Sequence, residues 1–252
     1  MQDIFNEDVG KGTPLVLVHG FLGSSEMWSP QIKFFKDSFR VIAPAIPGFG
    51  KSNTIDSCDS IECMAKAILS LLEKKEIKNF NLLGHSMGGM IVQEMTKLAG
   101  NKILKLICYG TGPRGNIPGR FETIDQSREK LKTNGLEFTA NRIAKTWFVD
   151  EERAKYFYLC NQAGKQASME ATDNGLIAMK NWDGVENLKN IKNETLIVWG
   201  DQDKAYNFDQ IETLSSNIPN SNLKIINGCS HNVHLEKPDE FNIIVEEFLK
   251  RN

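Results

Sequence analysis

The chain has little that would tie it to a nucleic acid, a membrane or a metal. Thirty Lys and Arg stand against 32 Asp and Glu, a formal net charge of −2, so the basic footprint of a nucleic-acid binder is missing. No block of like charges suggests an interaction tail. No apolar run approaches the roughly 18 residues that span a bilayer. Met1-Gln2-Asp3-Ile4 lacks the basic region and apolar stretch of a secretion signal. Cysteine is sparse: five, at positions 58, 63, 108, 160 and 229. An odd number, widely spread, predicts free thiols in a reduced, cytoplasmic protein. There is no C-x-x-C pair, so a zinc site is not expected. Internal repeats and low-complexity tracts are also missing. What remains is an ordinary globular composition, 40% hydrophobic and 25% charged over 252 residues. That predicts one domain with an insertion and a sizeable core.

The stretch that organises this chain is Gly84-His85-Ser86-Met87-Gly88. A short apolar run, residues 80–83, precedes it, and a stretch of helical character, residues 87–98, follows. Strand, sharp turn, helix is the setting in which G-x-S-x-G reads as a nucleophile elbow. The serine sits in a strained backbone region, tolerable only with small neighbours. Its hydroxyl then stands clear of the sheet at a helix N-terminus.

The flanking pattern fits a layered α/β protein. Leu15-Val16-Leu17-Val18 is a continuous apolar run of the kind buried on both faces of a parallel sheet. Further strands are predicted at 4–9, 39–43, 80–83, 103–108, 195–199 and 223–226. Helices are predicted at 59–75, capped by Asp59 or Ser60, at 87–98, at 207–216, and at 238–250, opened by Pro238. Alternating strands and helices imply right-handed βαβ units and a doubly wound, mostly parallel sheet. The alternation stops from about Arg114 to Trp182. Segments near 121–132, 136–147, 151–164 and 166–180 look helical there. The expected organisation is an α/β core, 1–113 and 183–252, with a helical cap at 114–182 over the carboxyl edge of the sheet.

A serine hydroxyl needs a base, and the base needs an orienting carboxylate. Candidates occur in the order Ser, Asp, His. Asp203 and His231 each lie in a loop just past a buried strand, at the same sheet edge as the elbow. Asp201 and His234 are the alternatives. Asp201 lies in the turn itself, and His234 leads into the next helix, so Asp203 and His231 are preferred. His19 and His85 flank the active loops as structural residues. The oxyanion needs two fixed donors: the backbone N–H of Met87, and that of Phe21 in the Gly-rich loop His19-Gly20-Phe21-Leu22-Gly23. Leu22 and the cap residue Trp147 are candidate substrate contacts.

Taken together, His19-Gly20-Phe21-Leu22-Gly23-Ser24, Pro47-Gly48-Phe49-Gly50-Lys51-Ser52, Gly84-His85-Ser86-Met87-Gly88-Gly89, Gly200-x-x-Asp203 and Gly228-x-x-His231 with Glu236 and Pro238 resemble the motif set of the α/β-hydrolase superfamily. The spacing usual in that family selects Asp203 as acid and His231 as base. The cap is similar to that of 3-oxoadipate enol-lactonases, with meta-cleavage carbon–carbon hydrolases the nearest rival. Ala45 stands where most relatives carry an acidic residue that braces a loop.

The expected activity is hydrolysis of a small carboxylic ester or lactone through an acyl-enzyme. The alternative is cleavage of a dienol-diketone C–C bond by the same triad. A non-catalytic ligand receptor is a third reading, with no residue to support it. No cofactor is required by this chemistry, and a small-molecule substrate is the expected partner. Arg114, Arg120, Arg128 and Arg142 are candidates for holding a substrate carboxylate, as a lactonase of dicarboxylic acids would need.

Overall fold

A computed structural model describes residues 3–251. Its seven strands are β1 (Asn6–Val9), β2 (Pro14–Val18), β3 (Arg40–Pro44), β4 (Phe80–His85), β5 (Ile103–Tyr109), β6 (Glu194–Gly200) and β7 (Ser221–Ile226). They form one sheet in the order β1-β3-β2-β4-β5-β6-β7. Only β1 runs antiparallel to its neighbour.

The apolar runs take both faces of this sheet into the core. Leu15 and Leu17 enter one layer, where α1 (Ser29–Phe35) and α9 (Pro238–Lys250) supply Phe35, Phe241, Val245 and Phe248. Val16 and Val18 enter the other, against α2 (Ile61–Lys74), α3 (Met87–Ala99) and α7 (Phe208–Asn217). Side chains alternate along an extended chain, so a strand that is apolar at every position needs such a layer on each side.

Register brings the carboxyl ends of the central strands level. Val18 pairs with Gly84, His85 with Tyr109, Tyr109 with Val198, and Gly200 with Ile226. From β2 the chain passes to β3 on one side, then returns to β4 on the other. That reversal opens a crevice between the loops after β2 and β4, where ligands bind in open α/β sheets.

Between β5 and β6 lie α4 (Ile124–Lys145), α5 (Phe157–Gln166) and α6 (Met169–Asn181). The excursion leaves and returns at one neck. There Arg114 and Asp183 form an isolated bridge, Gly115 N–H donates to the Trp182 carbonyl at 3.2 Å, and Gly184 N–H donates to the Pro113 carbonyl at 2.8 Å. α4 opens with a capping box in which Thr123 and Gln126 satisfy each other's backbone N–H. It breaks at Gly135 (φ 80°, ψ 176°). The helix expected over 151–164 is shorter than its sequence suggests. Glu151–Arg153 is one 3₁₀ turn, Ala154 is extended, and α5 begins only at Phe157. Two short helices were not expected from periodicity: α1, and α8 (Val233–Glu236). Both are too brief to show a helical repeat.

The cysteines require a correction. Cys58 and Cys63 form a disulfide, while Cys108, Cys160 and Cys229 are free and buried. Ser60 caps α2, its Oγ accepting the Cys63 N–H at 3.3 Å. The turn this cap imposes brings the two Cα atoms to 5.7 Å, inside the usual span of the bond. Spacing along the chain does not reveal such a turn. Among the described residues no helix is long and apolar enough to cross a membrane.

Candidate active site

Ser86 joins the end of β4 to the start of α3 with φ 57° and ψ −120°, a sparsely populated conformation for a residue with a Cβ. The glycines around it are required by contact. A Cβ on Gly84 would strike the Gly88 carbonyl, and one on Gly88 would strike the carbonyls of Val18 and His19. The strain is held by hydrogen bonds from neighbouring strands. Ser86 N–H donates to the Tyr109 carbonyl at 3.0 Å, and Thr111 Oγ1 donates to the Ser86 carbonyl at 2.8 Å.

His231 is buried at 2% exposure in the loop after β7, and its Nδ1 lies 2.9 Å from Asp203 Oδ2. The Asp203 side chain is fully buried. Its other oxygen accepts the N–H groups of Ala205 (2.7 Å) and Tyr206 (3.1 Å). Both oxygens of this buried carboxylate are thus engaged, which fixes its orientation against the ring. The His231 carbonyl accepts from the Tyr109 hydroxyl at 2.8 Å and from His85 Nε2 at 3.2 Å. The Tyr206 ring stacks on the imidazole, 5.7 Å away and 17° from parallel.

The alternatives fall into supporting places. Asp201 Oδ1 accepts the Gly228 N–H at 2.6 Å, bracing the loop that carries His231. His234 is buried between Trp28 and Tyr109. His19 Nε2 accepts the Ile46 N–H at 3.0 Å, tying two loops together. Burial pushes the pKa of His19 down to about 4 and that of His234 to about 3, and holds that of His85 well below its ordinary value. The structure accordingly gives these three rings the neutral, loop-holding role expected of His19 and His85. Beside Ala45, bracing comes from Phe5, whose carbonyl accepts the Ala45 N–H at 2.8 Å and whose N–H donates to Ser52 Oγ at 2.9 Å.

Ser86 and His231 line one cavity with Phe21, Ile117, Arg120 and Trp147; Ile143, Met179 and Tyr206 complete its wall. Leu22 does not line it. With φ 54° its side chain is turned into the core beneath Gly164 of α5. The N–H groups of Phe21 and Met87 have no hydrogen-bond partner among the described residues.

Two further polar groups face this space. Burial raises the Tyr206 phenol pKa to about 12, and its hydroxyl lies beside Ser86 and Thr111. It is therefore a protonated donor at neutral pH. Arg120 has a buried Nη1 with no partner. The other three candidate arginines are used in ion pairs: Arg114 with Asp183, Arg128 with Asp173, and Arg142 with Glu122. Arg120 was identifiable from its residue type alone. Tyr206 was missed, because a tyrosine three residues past an acid belongs to no pattern. Among the described residues no cluster of three or more His, Cys, Asp or Glu could hold a metal ion.

Comparison with known proteins identifies the family. The family model described as alpha/beta hydrolase fold matches residues 13–238. A pimeloyl-[acyl-carrier protein] methyl ester esterase of Legionella pneumophila (strain Corby) is 27% identical, the alignment covering 98% of this chain and 100% of that one. A 2-hydroxy-6-oxo-6-phenylhexa-2,4-dienoate hydrolase of Comamonas testosteroni is 26% identical over 98% of this chain and 91% of its own length. The solved structure of a thermophilic esterase from Thermogutta terrifontis superposes with a TM-score of 0.87 at 25% identity, covering 98% and 93% of the two chains. With the sheet, the elbow and a family match running almost end to end, the chain belongs to the α/β-hydrolase fold family and is a hydrolase of that family.

Proposed function

We propose that the protein hydrolyses a small carboxylic ester or lactone through a Ser86–His231–Asp203 triad. The observation that carries this reading is the buried His231–Asp203 pair at 2.9 Å, whose imidazole lines the same cavity as Ser86. Ser86 Oγ attacks the substrate carbonyl carbon while His231 Nε2 takes its proton. Asp203 stabilises the imidazolium so formed. The oxygen of the tetrahedral intermediate receives the N–H groups of Phe21 and Met87. The intermediate collapses, the C–O bond breaks, and His231 returns the proton to the departing alkoxide. Water, deprotonated by His231, then releases the acid from Ser86.

The cavity is about 20 Å³, room for a single water. Residues 114–182 are therefore read as a cap that must open to admit substrate. The unpartnered Nη1 of Arg120 favours a substrate bearing a carboxylate, since a buried donor without a partner is costly until a ligand supplies one. The reading also keeps the protein in the cytoplasm, where the Cys58–Cys63 bond is open to reduction.

The test is turnover of short p-nitrophenyl esters by the wild type and Ser86→Ala. The variant should fold normally and lose at least about 10³-fold in kcat. Full activity in Ser86→Ala refutes the assignment. The likeness to the dienoate hydrolase of Comamonas testosteroni favours one second reading, C–C cleavage by the same residues. Loss of colour from a dienol-diketone substrate, without ester turnover, would establish it.

A further inference from the structure

We propose that Glu236 is a positioning residue for the base: it clasps the cap segment 146–149 to the loop that carries His231. The proposal rests on His231 being the base. Glu236 ends α8, five residues after His231, and its carboxylate joins two strangers. Oε2 accepts the Ser230 N–H at 2.7 Å, on the residue just before His231, and Oε1 accepts the Val149 N–H at 2.7 Å, on the cap side. Three further hydrogen bonds cross the same seam. Ser230 Oγ donates to the Thr146 carbonyl at 3.2 Å, Asn232 N–H to the Trp147 carbonyl at 3.0 Å, and Asn232 Nδ2 to Cys160 Sγ of α5 at 3.4 Å. Both chain neighbours of His231 are thus bonded to the cap. The core holds His231 itself through Asp203, Tyr109 and His85, and the Asn232 carbonyl through the N–H groups of Leu235 and Glu236.

The chemistry of this joint asks for a carboxylate. Two backbone donors meet two oxygens, and only an ionised carboxylate accepts at both without offering a donor of its own. A glutamine would set an NH₂ against one of the N–H groups. Burial raises the Glu236 pKa, and the Val149 and Ser230 N–H groups oppose that rise; the titratable groups facing it are Asp150 and His231. The cavity, about 20 Å³, is small for an ester, and on the proposed reading the cap shifts to admit one. Segment 146–149 moves with it, drawing on Ser230 and Asn232. The imidazole reaches its working position when the cap closes and the clasp re-forms, which couples substrate capture to base placement.

The experiment measures kcat, KM and the rate of fluorophosphonate labelling at Ser86 in Glu236→Gln, Ser230→Ala and Asn53→Ala. Asn53 Nδ2 donates to the Gln166 carbonyl at 3.1 Å, a cap–core bond remote from the base. Glu236→Gln should lower kcat about 30-fold with KM little changed, and slow labelling by the same factor, as displacement of a catalytic group does. Ser230→Ala, nearly isosteric and able to carry the test if the first variant does not fold, should lower both about threefold. Asn53→Ala should leave both unchanged. If Glu236 only held the cap shut, its loss would leave labelling as fast or faster and alter KM alone; that result overturns the proposal, as does an equal fall in Asn53→Ala. Failure of the wild type to label at Ser86 at all would instead overturn the reading of His231 as base.

Discussion

At Asp203 the structure concentrates more contacts than the residue's place in the chain suggests. One oxygen orients His231, and the other accepts two N–H groups from the turn leading to Tyr206. Asp203→Asn would put an NH₂ where an acceptor is needed and turn the imidazole toward the wrong tautomer. Ester turnover should fall by about 10³- to 10⁴-fold while thermal unfolding shifts little. At Arg120 the expectation is a change in specificity. Arg120→Gln should raise KM for a carboxylate-bearing ester by about tenfold and leave a neutral ester of equal size unaffected; equal effects on the two would remove Arg120 from substrate recognition. The triad candidates were legible because each follows a strand closely, Ser86 and Asp203 after buried ones and His231 after the edge strand β7. The arginine was legible only as one of four, since which cation lacks a partner depends on ion pairs formed by residues far apart in sequence, such as Arg128 and Asp173.

The elements divide in the same way. The five inner strands could be read from apolar runs, because a strand covered on both faces leaves an unbroken signal, whereas the edge strands β1 and β7 are only partly buried and leave a weaker one. The helices between β5 and β6 were read less well. α4 presents Phe138 to solvent, and its polar positions do not repeat cleanly, so its break at Gly135 and the late start of α5 were set by packing that periodicity does not encode. Two glycines separate conformational from steric demand. Gly135 has open space where a Cβ would stand, but φ 80°; Gly135→Ala should cost about 1–2 kcal/mol and spare activity. Gly88→Ala would drive a methyl into the backbone of β2 and the loop after it. That variant should unfold at markedly lower denaturant concentration, by about 3 kcal/mol, and lose ester turnover. Urea titrations of the two variants compare these costs directly.

Across the whole molecule, three neutral histidines are sealed behind the active loops, and acid should find them. His19, His85 and His234 have folded-state pKa values below the ordinary 6.5, at about 4 for His19 and about 3 for His234. The unfolded chain binds their protons first. Stability is therefore complete above about pH 6.5 and is lost as pH falls toward 4 and then 3, by up to about 2 kcal/mol per histidine between pH 6.5 and 5. Asp8 works in the same direction lower down: its bond to Arg40 holds its pKa at about 2, so its contribution is lost below about pH 4. Urea midpoints measured from pH 7 to pH 4.5 should fall steadily; a flat profile would mean the rings are protonated or exposed in the folded state. The two-layered core and the level strand ends place Ser86 and His231 on one cavity, with Asp203 behind the imidazole, the arrangement the proposed reading needs. The rate of fluorophosphonate labelling, with the modified peptide identified by mass, tests that arrangement most directly. The wild type should take one label, on Ser86, and His231→Gln should take it at least about 10³-fold more slowly. A label on another residue, or equal rates in the two proteins, would contradict the account.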